Sequence, residues 1–325
     1  MKPSNKERMT AMELKTYDKL PIGIFPTPIH RLDNLSRELN IDLYIKRDDM
    51  TGIALGGNKV RKLEYLLAEA KAQGAQVVFT TGGAQSNHAM LTAAACRKFG
   101  MTPILILKKK GVTTRQGNQL LEHLMGVDVR FMDTNDYADI YAEMDRVGAE
   151  LGVPYYKIPC GGSNAMGVLG YVDCICEIAA QGMEFDRIIC AEGSGGTMAG
   201  VALGAKLFMP KARVTGMMVD TDPFDVITVD LMKQAAELLG SDITVSREDF
   251  DLMDLCGPGY AIPSAEGNAA VELMAQKEGL FLDPVYTGKA FAGLVQLAKS
   301  GAISPKERVL FIHTGGAGGL FAIDM

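Results

Sequence analysis

The chain has 325 residues and a formal net charge of -6, with 47% hydrophobic and 22% charged side chains. That length suits two domains with substantial cores, and that composition excludes a disordered chain. Lys108-Lys109-Lys110 is the one basic tract, which argues against nucleic acid as a partner, and no apolar run reaches membrane-spanning length.

In chain order, the polar segment 1–17 lacks the apolar stretch of a signal peptide. Short β-branched runs then alternate with longer amphipathic ones. Strands are predicted over residues 42–46, 76–80, 103–107, 128–131, 187–191, 213–219 and 308–312. Helices are predicted over 63–73, 89–99, 118–125, 136–151 and 197–208, with further helical stretches in the other gaps. The alternation predicts an α/β fold of open, twisted, largely parallel sheets flanked by helices. Glycine-rich breaks fall where strands should end, at TGGAQSNH (81–88), GGSN (161–164), GSGGT (193–197) and HTGGAGG (313–319). In open α/β sheets ligands bind beyond the carboxyl ends of the strands, so the four loops predict one site. Six cysteines, Cys96, Cys160, Cys174, Cys176, Cys190 and Cys256, lie in apolar segments without a CxxC pair. They read as buried reduced thiols of a cytoplasmic protein, and Cys174 and Cys176 are too close together for a metal knuckle.

Residues 56–64 read GGNKVRKLE. Lys59 falls in the first turn of a helix whose apolar stripe is Leu63, Leu66, Leu67 and Ala70, with Gly74 as its stop. A helix N-terminus disfavours an ammonium, pushing Lys59 toward the neutral amine that attacks carbonyls. The plain alternative is a solvated basic turn, since Arg61 and Lys62 share it. In the 193–197 loop, Gly193, Ser194, Gly195 and Gly196 can turn backbone N–H groups toward an anion at a helix start, with the Thr197 hydroxyl as a further donor. A dinucleotide loop is an alternative because Asp220 ends the next strand, although Met198 occupies the last position of G-x-G-x-x-G; a tight structural turn is another. A reactive lysine together with a phosphate cradle points to pyridoxal 5'-phosphate as cofactor.

The chain resembles the D-cysteine desulfhydrase and 1-aminocyclopropane-1-carboxylate deaminase family of pyridoxal-phosphate enzymes. The resemblance runs nearly the whole length, through residues 26–28 (PTP), IKRDD, GGNKVRKLE, GGAQSNH, PCGGSNAMGVLGY, GSGGTMAG, PGYAIPSAEG, LDPVYTGKA and HTGGA. It implies the tryptophan-synthase-β-like fold (fold type II), with a small domain at 61–170 and a large domain built from 1–60 and 171–325. Lys59 matches the lysine that holds the cofactor aldehyde and moves the substrate α-proton. Asn87 matches the residue bonded to the ring hydroxyl, and Ser86, Asn87 and His88 suit a substrate carboxylate. Gly193 to Thr197 match the phosphate loop. Tyr260 and Tyr286 match two tyrosines that face the substrate, the plain alternative being core packing.

Within the family, the cyclopropane deaminases resemble VYEG where this chain has Thr287, and their acid is expected to protonate the pyridine nitrogen. Here Thr287 takes that place and Thr314 stands near the ring, which implies a weaker electron sink suited to β-elimination. The resemblance therefore favours a desulfhydrase giving pyruvate, ammonia and sulfide from a small amino acid, with Tyr286 nearest the leaving sulfur. After QSNH, Ala89-Met90-Leu91 replace an expected Val-Arg-Gln, which raises L-cysteate sulfo-lyase, releasing sulfite, as runner-up. A cyclopropane deaminase comes next, and a nicotinamide dehydrogenase or a non-catalytic binding protein lies outside the class. Relatives imply a homodimer.

Overall fold

The apolar runs of the sequence become the strands of two sheets. The structure is a computed structural model that describes residue 7 and residues 12–325, so most of the polar leader segment lies outside the described residues. The chain runs β1 (Ile29–Arg31), α1 (Asp33–Leu39), β2 (Asp42–Lys46), α2 (Lys59–Ala72), β3 (Val77–Thr80), α3 (Asn87–Lys98), β4 (Thr102–Lys108), α4 (Gly117–Leu124), β5 (Asp128–Met132), α5 (Tyr137–Leu151) and β6 (Tyr155–Lys157). It continues with α6 (Ala165–Ala180), β7 (Arg187–Glu192), α7 (Gly196–Phe208), β8 (Arg213–Met218), α8 (Phe224–Leu238), β9 (Asp251–Asp254), α9 (Ala265–Glu278), α10 (Thr287–Lys299), β10 (Arg308–Ile312) and α11 (Ala317–Leu320).

One sheet has the order β1-β2-β10-β7-β8-β9 and the other β5-β4-β3-β6. Every pairing is parallel except β1 with β2. The expected largely parallel α/β architecture is therefore what forms. β3 and β7 are buried at every position, as strands covered by helices on both faces must be, which is why they read as continuous apolar runs. β1, β6 and β9 were not expected, and none has a fully buried residue. Without an apolar face they leave no periodic signal.

The α2 stripe of Leu63, Leu66, Leu67 and Ala70 packs with Met90, Leu91 and Ile158. A second apolar cluster joins α6 and α7 through Val168, Val172, Ala199 and Leu203. These helices fix the strand ends relative to one another. The loops leaving β3, β6, β7 and β10 are the four glycine-rich breaks. No helix among the described residues is long and apolar enough to cross a membrane. Five of the six cysteines are buried and Cys160 is half-buried.

Candidate active site

α2 begins at Lys59 itself, so the lysine does stand in the first turn. The residue before it ties two glycine loops together: the Asn58 amide N–H donates to the Thr314 carbonyl (3.0 Å) and its side-chain Nδ2 to Thr197 Oγ1 (3.0 Å). Lys59 keeps some exposure, yet burial of its amine pushes its pKa below the lysine range, against the opposing influence of Cys160 and Glu192. The direction favours the neutral amine, and burial is its largest cause.

Arg61 and Lys62 do not form a solvated turn; both are buried. The two point to different faces of α2, and each meets a different partner set. Arg61 forms a bidentate pair with Asp48, Nε to Oδ2 at 2.7 Å and Nη2 to Oδ1 at 2.9 Å, and also reaches Glu177 Oε2 at 3.0 Å. Lys46 pairs with the same Glu177, and the Tyr171 and Thr27 hydroxyls each donate to Asp48 at 2.7 Å. Burial works against the Asp48 charge, but Arg61 and Lys46 outweigh it and hold the carboxyl at about 2. Lys62, one turn after Lys59, donates to the Gly161 carbonyl (3.1 Å) and Ser163 Oγ (3.4 Å). Burial first, and Lys59 second, push its amine well below the lysine range. A buried amine whose hydrogen-bond acceptors are all neutral can serve an anion.

The candidate anion site is the 193–197 loop. Gly195 has φ of +81°, open to glycine at little cost. A Cβ at Gly196 would stand 2.7 Å from Lys62 Nζ and 2.6 Å from Ser163 Oγ, so the absence of a side chain is what leaves room in front of the lysine. Ser163 Oγ donates to Ser194 Oγ (3.0 Å) and accepts from the Gly196 N–H (3.2 Å). Thr197 is buried at the start of α7. A buried lysine, loop N–H groups, two serine hydroxyls and a helix start make a donor set that fits a phosphate dianion, with the Lys59 amine one turn from Lys62 to meet an aldehyde. Pyridoxal phosphate therefore fits these residues. Asp220, the candidate ribose acid, instead accepts from its neighbour Thr221 N–H at 2.9 Å.

Glu192, which ends β7, was not singled out from the sequence. Its Oε1 accepts the N–H groups of Ser194 (2.9 Å) and Gly195, and its Oε2 has no partner among the described residues although Glu192 is 1% exposed. Its one visible signal was a charge closing the otherwise apolar run IICA.

A cavity is lined by Gly83, Asn87, Lys110, Tyr260, Asp283 and Tyr286. The Tyr260 and Tyr286 hydroxyls share a hydrogen bond, and their rings meet edge to face at 5.9 Å. A Cβ at Gly83 would meet Tyr260 at 3.3 Å and one at Gly193 would meet Tyr286 at 3.4 Å, so the phenol pair bridges the 81–88 and 193–197 loops. Burial raises the Tyr286 phenol well above the tyrosine range, and Tyr260 adds to it; the pair stays protonated at neutral pH. Of the three residues after Gln85, Asn87 lines the cavity, with its Oδ1 accepting from Asn118 Nδ2 at 2.7 Å. Ser86 caps α3 by accepting the Ala89 N–H (3.2 Å). His88 turns away and bonds Thr80 Oγ1 at 2.8 Å. Burial, then Lys59 and Lys62, push its ring well below the histidine range.

Thr287 is fully buried and donates to Asp283 Oδ1 at 2.7 Å. Asp283 also accepts the N–H groups of Val285, Tyr286 and Thr287, each at 2.8 Å, so four donors saturate it. Thr314 is buried beside Gly57. Met90, in the place of the expected arginine, packs in the α2 core and does not line the cavity. The cation that does line it is Lys110, whose ammonium lies 5.3 Å from the Tyr260 ring centre.

Compared with known proteins, residues 20–315 match the family described as pyridoxal-phosphate dependent enzyme. A provisionally named 1-aminocyclopropane-1-carboxylate deaminase of Pyrococcus horikoshii is 42% identical over 95% of this chain and 94% of its own. A D-cysteine desulfhydrase of Klebsiella pneumoniae is 39% identical over 97% of this chain and 98% of its own. A crystal structure titled as an ACC deaminase homologue superposes with a TM-score of 0.90 at 40% identity, covering 99% of this chain and 97% of that one.

Proposed function

The chain belongs to the pyridoxal-phosphate dependent enzymes, and we propose that it is a lyase performing β-elimination on a small sulfur amino acid, in the manner of a D-cysteine desulfhydrase. The products would be pyruvate, ammonia and sulfide. When bound, pyridoxal phosphate supplies an electron sink that makes a substrate Cα–H acidic. The protein's part is to move protons and hold groups. Lys59, biased toward its neutral form, accepts the α-proton at Nζ and can return it. Lys62, Ser163 and the 193–197 N–H groups hold the phosphate, and Asn87 meets the ring side. The Tyr260–Tyr286 pair, protonated at the cavity wall, would give a departing thiolate a hydrogen-bond donor.

The observation that carries this reading is Thr287. By the family resemblance it would put a hydroxyl where the deaminases are expected to carry an acid, and its neighbour Asp283 is saturated by four donors. A weak electron sink serves a good leaving group better than a strained carbon–carbon bond. L-Cysteate, with sulfite as leaving group, is the second reading, favoured by the Lys110 ammonium at the cavity wall. We take residues 61–170 as a small domain that closes on substrate over a large domain of 1–60 and 171–325, in a cytoplasmic homodimer.

The test is to incubate the yellow holoprotein with D-cysteine, L-cysteine, L-cysteate and aminocyclopropane carboxylate. Pyruvate with sulfide from cysteine is expected. Pyruvate with sulfite from cysteate alone selects the second reading, and ketobutyrate from the cyclopropane substrate overturns both.

A further inference from the structure

The anion cradle carries a carboxylate of its own. Glu192 Oε1 takes the N–H groups of Ser194 and Gly195, two of the donors that a phosphate at this loop would use. Its Oε2 is buried without a partner among the described residues. The titratable groups around it are Lys59 and Lys62 from α2, with the Cys190 thiol on its own strand. Lys62 is the residue that a Cβ at Gly196 would touch, so glutamate and lysine flank the same space. An uncompensated oxygen this deep makes the carboxylate easier to protonate. The Glu192 carboxyl is raised above the usual range by burial, with the two N–H bonds and the lysines pulling the other way.

We propose that Glu192 competes with phosphate for the loop, and that a dianion binds there only as the Glu192 carboxylate takes up one proton from solvent. A carboxylate left charged beside a dianion would meet like charge in a low-dielectric site. The neutral acid removes that repulsion, gives up its hold on the loop N–H groups, and can donate through its free oxygen. The inference rests on the reading that the 193–197 loop holds the cofactor phosphate. It adds that cofactor capture is proton-linked and that its affinity falls as pH rises.

Sulfate is the probe, because it is a dianion that does not itself titrate near neutrality. Sulfate binding to the cofactor-stripped full chain is measured by calorimetry at pH 6 and pH 8 in two buffers of different ionisation enthalpy, which gives the protons taken up. The wild type should bind more weakly at pH 8 and take up protons. Glu192→Gln should bind about tenfold tighter at pH 8 and take up about one proton fewer, a tenfold change corresponding to one unit of pKa shift. Glu192→Ala supplies the same comparison if the glutamine variant does not fold. Lys62→Gln should weaken sulfate at both pH values. If it does so while Glu192→Gln changes neither affinity nor proton uptake, the competition is overturned and the loop reading stands. If Lys62→Gln leaves sulfate affinity unchanged, the anion binds elsewhere and both fall.

Discussion

Lys59 and Lys62 sit one helical turn apart, and both are pushed toward the neutral amine by burial. In the proposed function Lys59 serves the cofactor aldehyde and the substrate proton, whereas Lys62 faces the glycine loop. Lys59→Ala removes the attachment point and the base at once. Turnover should fall below detection, and the yellow colour that bleaches with borohydride in the wild type should be weak and unbleached; normal turnover in the variant would place the chemistry on another residue. The phenol pair gives a graded test. Tyr286→Phe should slow sulfide release by roughly one to three orders of magnitude, because the departing thiolate loses its donor and Tyr260 loses its partner. Thr314→Ala should cost less, since a neutral hydrogen bond to the ring is worth about 1 kcal/mol. The reverse order, read from kcat on the same substrate, would make the ring nitrogen the limiting feature and weaken the case against a cyclopropane deaminase.

At the scale of elements, α2 owes its placement to a buried ion cluster as much as to its apolar stripe. Arg61 is clamped by Asp48 on one side and Glu177 of α6 on the other, two residues from Lys59. Asp48→Asn leaves a buried guanidinium undercompensated and should destabilise the fold by about 3 kcal/mol in urea unfolding. A loss near zero would mean the cluster is locally rearranged at no cost. This cluster also marks what a sequence can carry. Runs such as 77–80 and 187–191 announce buried parallel strands, and the GGNK context announces a lysine at a helix start, because both are local patterns. That Arg61 and Lys62 are buried depends on Asp48, Glu177 and Gly161, which are distant in sequence, so the same letters read equally well as a solvated turn. His88 shows the same limit: its place after Ser86 and Asn87 suggested a ligand, while the helix rotation sends it to Thr80. At Gly195 the left-handed backbone aims a Cβ at Ile227, 2.5 Å away, so a side chain there would meet α8 and not the anion.

Across the whole molecule, two sheets meet through loops that spend many polar groups on the site, and several carboxyls are left buried at a cost. Glu122 on α4 is the clearest case. Its Oε2 accepts from Gln119 Nε2 at 2.8 Å, its Oε1 has no partner among the described residues, and Gln119 also holds the Ala84 carbonyl of the 81–88 loop. Burial pushes the Glu122 carboxyl up to about 8, with Gln119 pulling it down only in part. A folded-state pKa above the unfolded value means that the group's contribution is fully present below about pH 4.3 and is lost as pH rises through about 8. Asp48 has the opposite sign: its contribution is present above about pH 3.9 and is lost as pH falls through about 2. The two windows do not overlap, so each can be read separately from melting temperature against pH. Glu122→Gln keeps the shape and the acceptor oxygen but cannot ionise. Its melting curve should run parallel to the wild type below pH 4, gain on it steadily between pH 5 and 8, and hold a constant lead above, a gain on the order of a few kcal/mol. A pH-independent offset between the two proteins would show that Glu122 stays ionised in the fold, and that its free oxygen has found a donor.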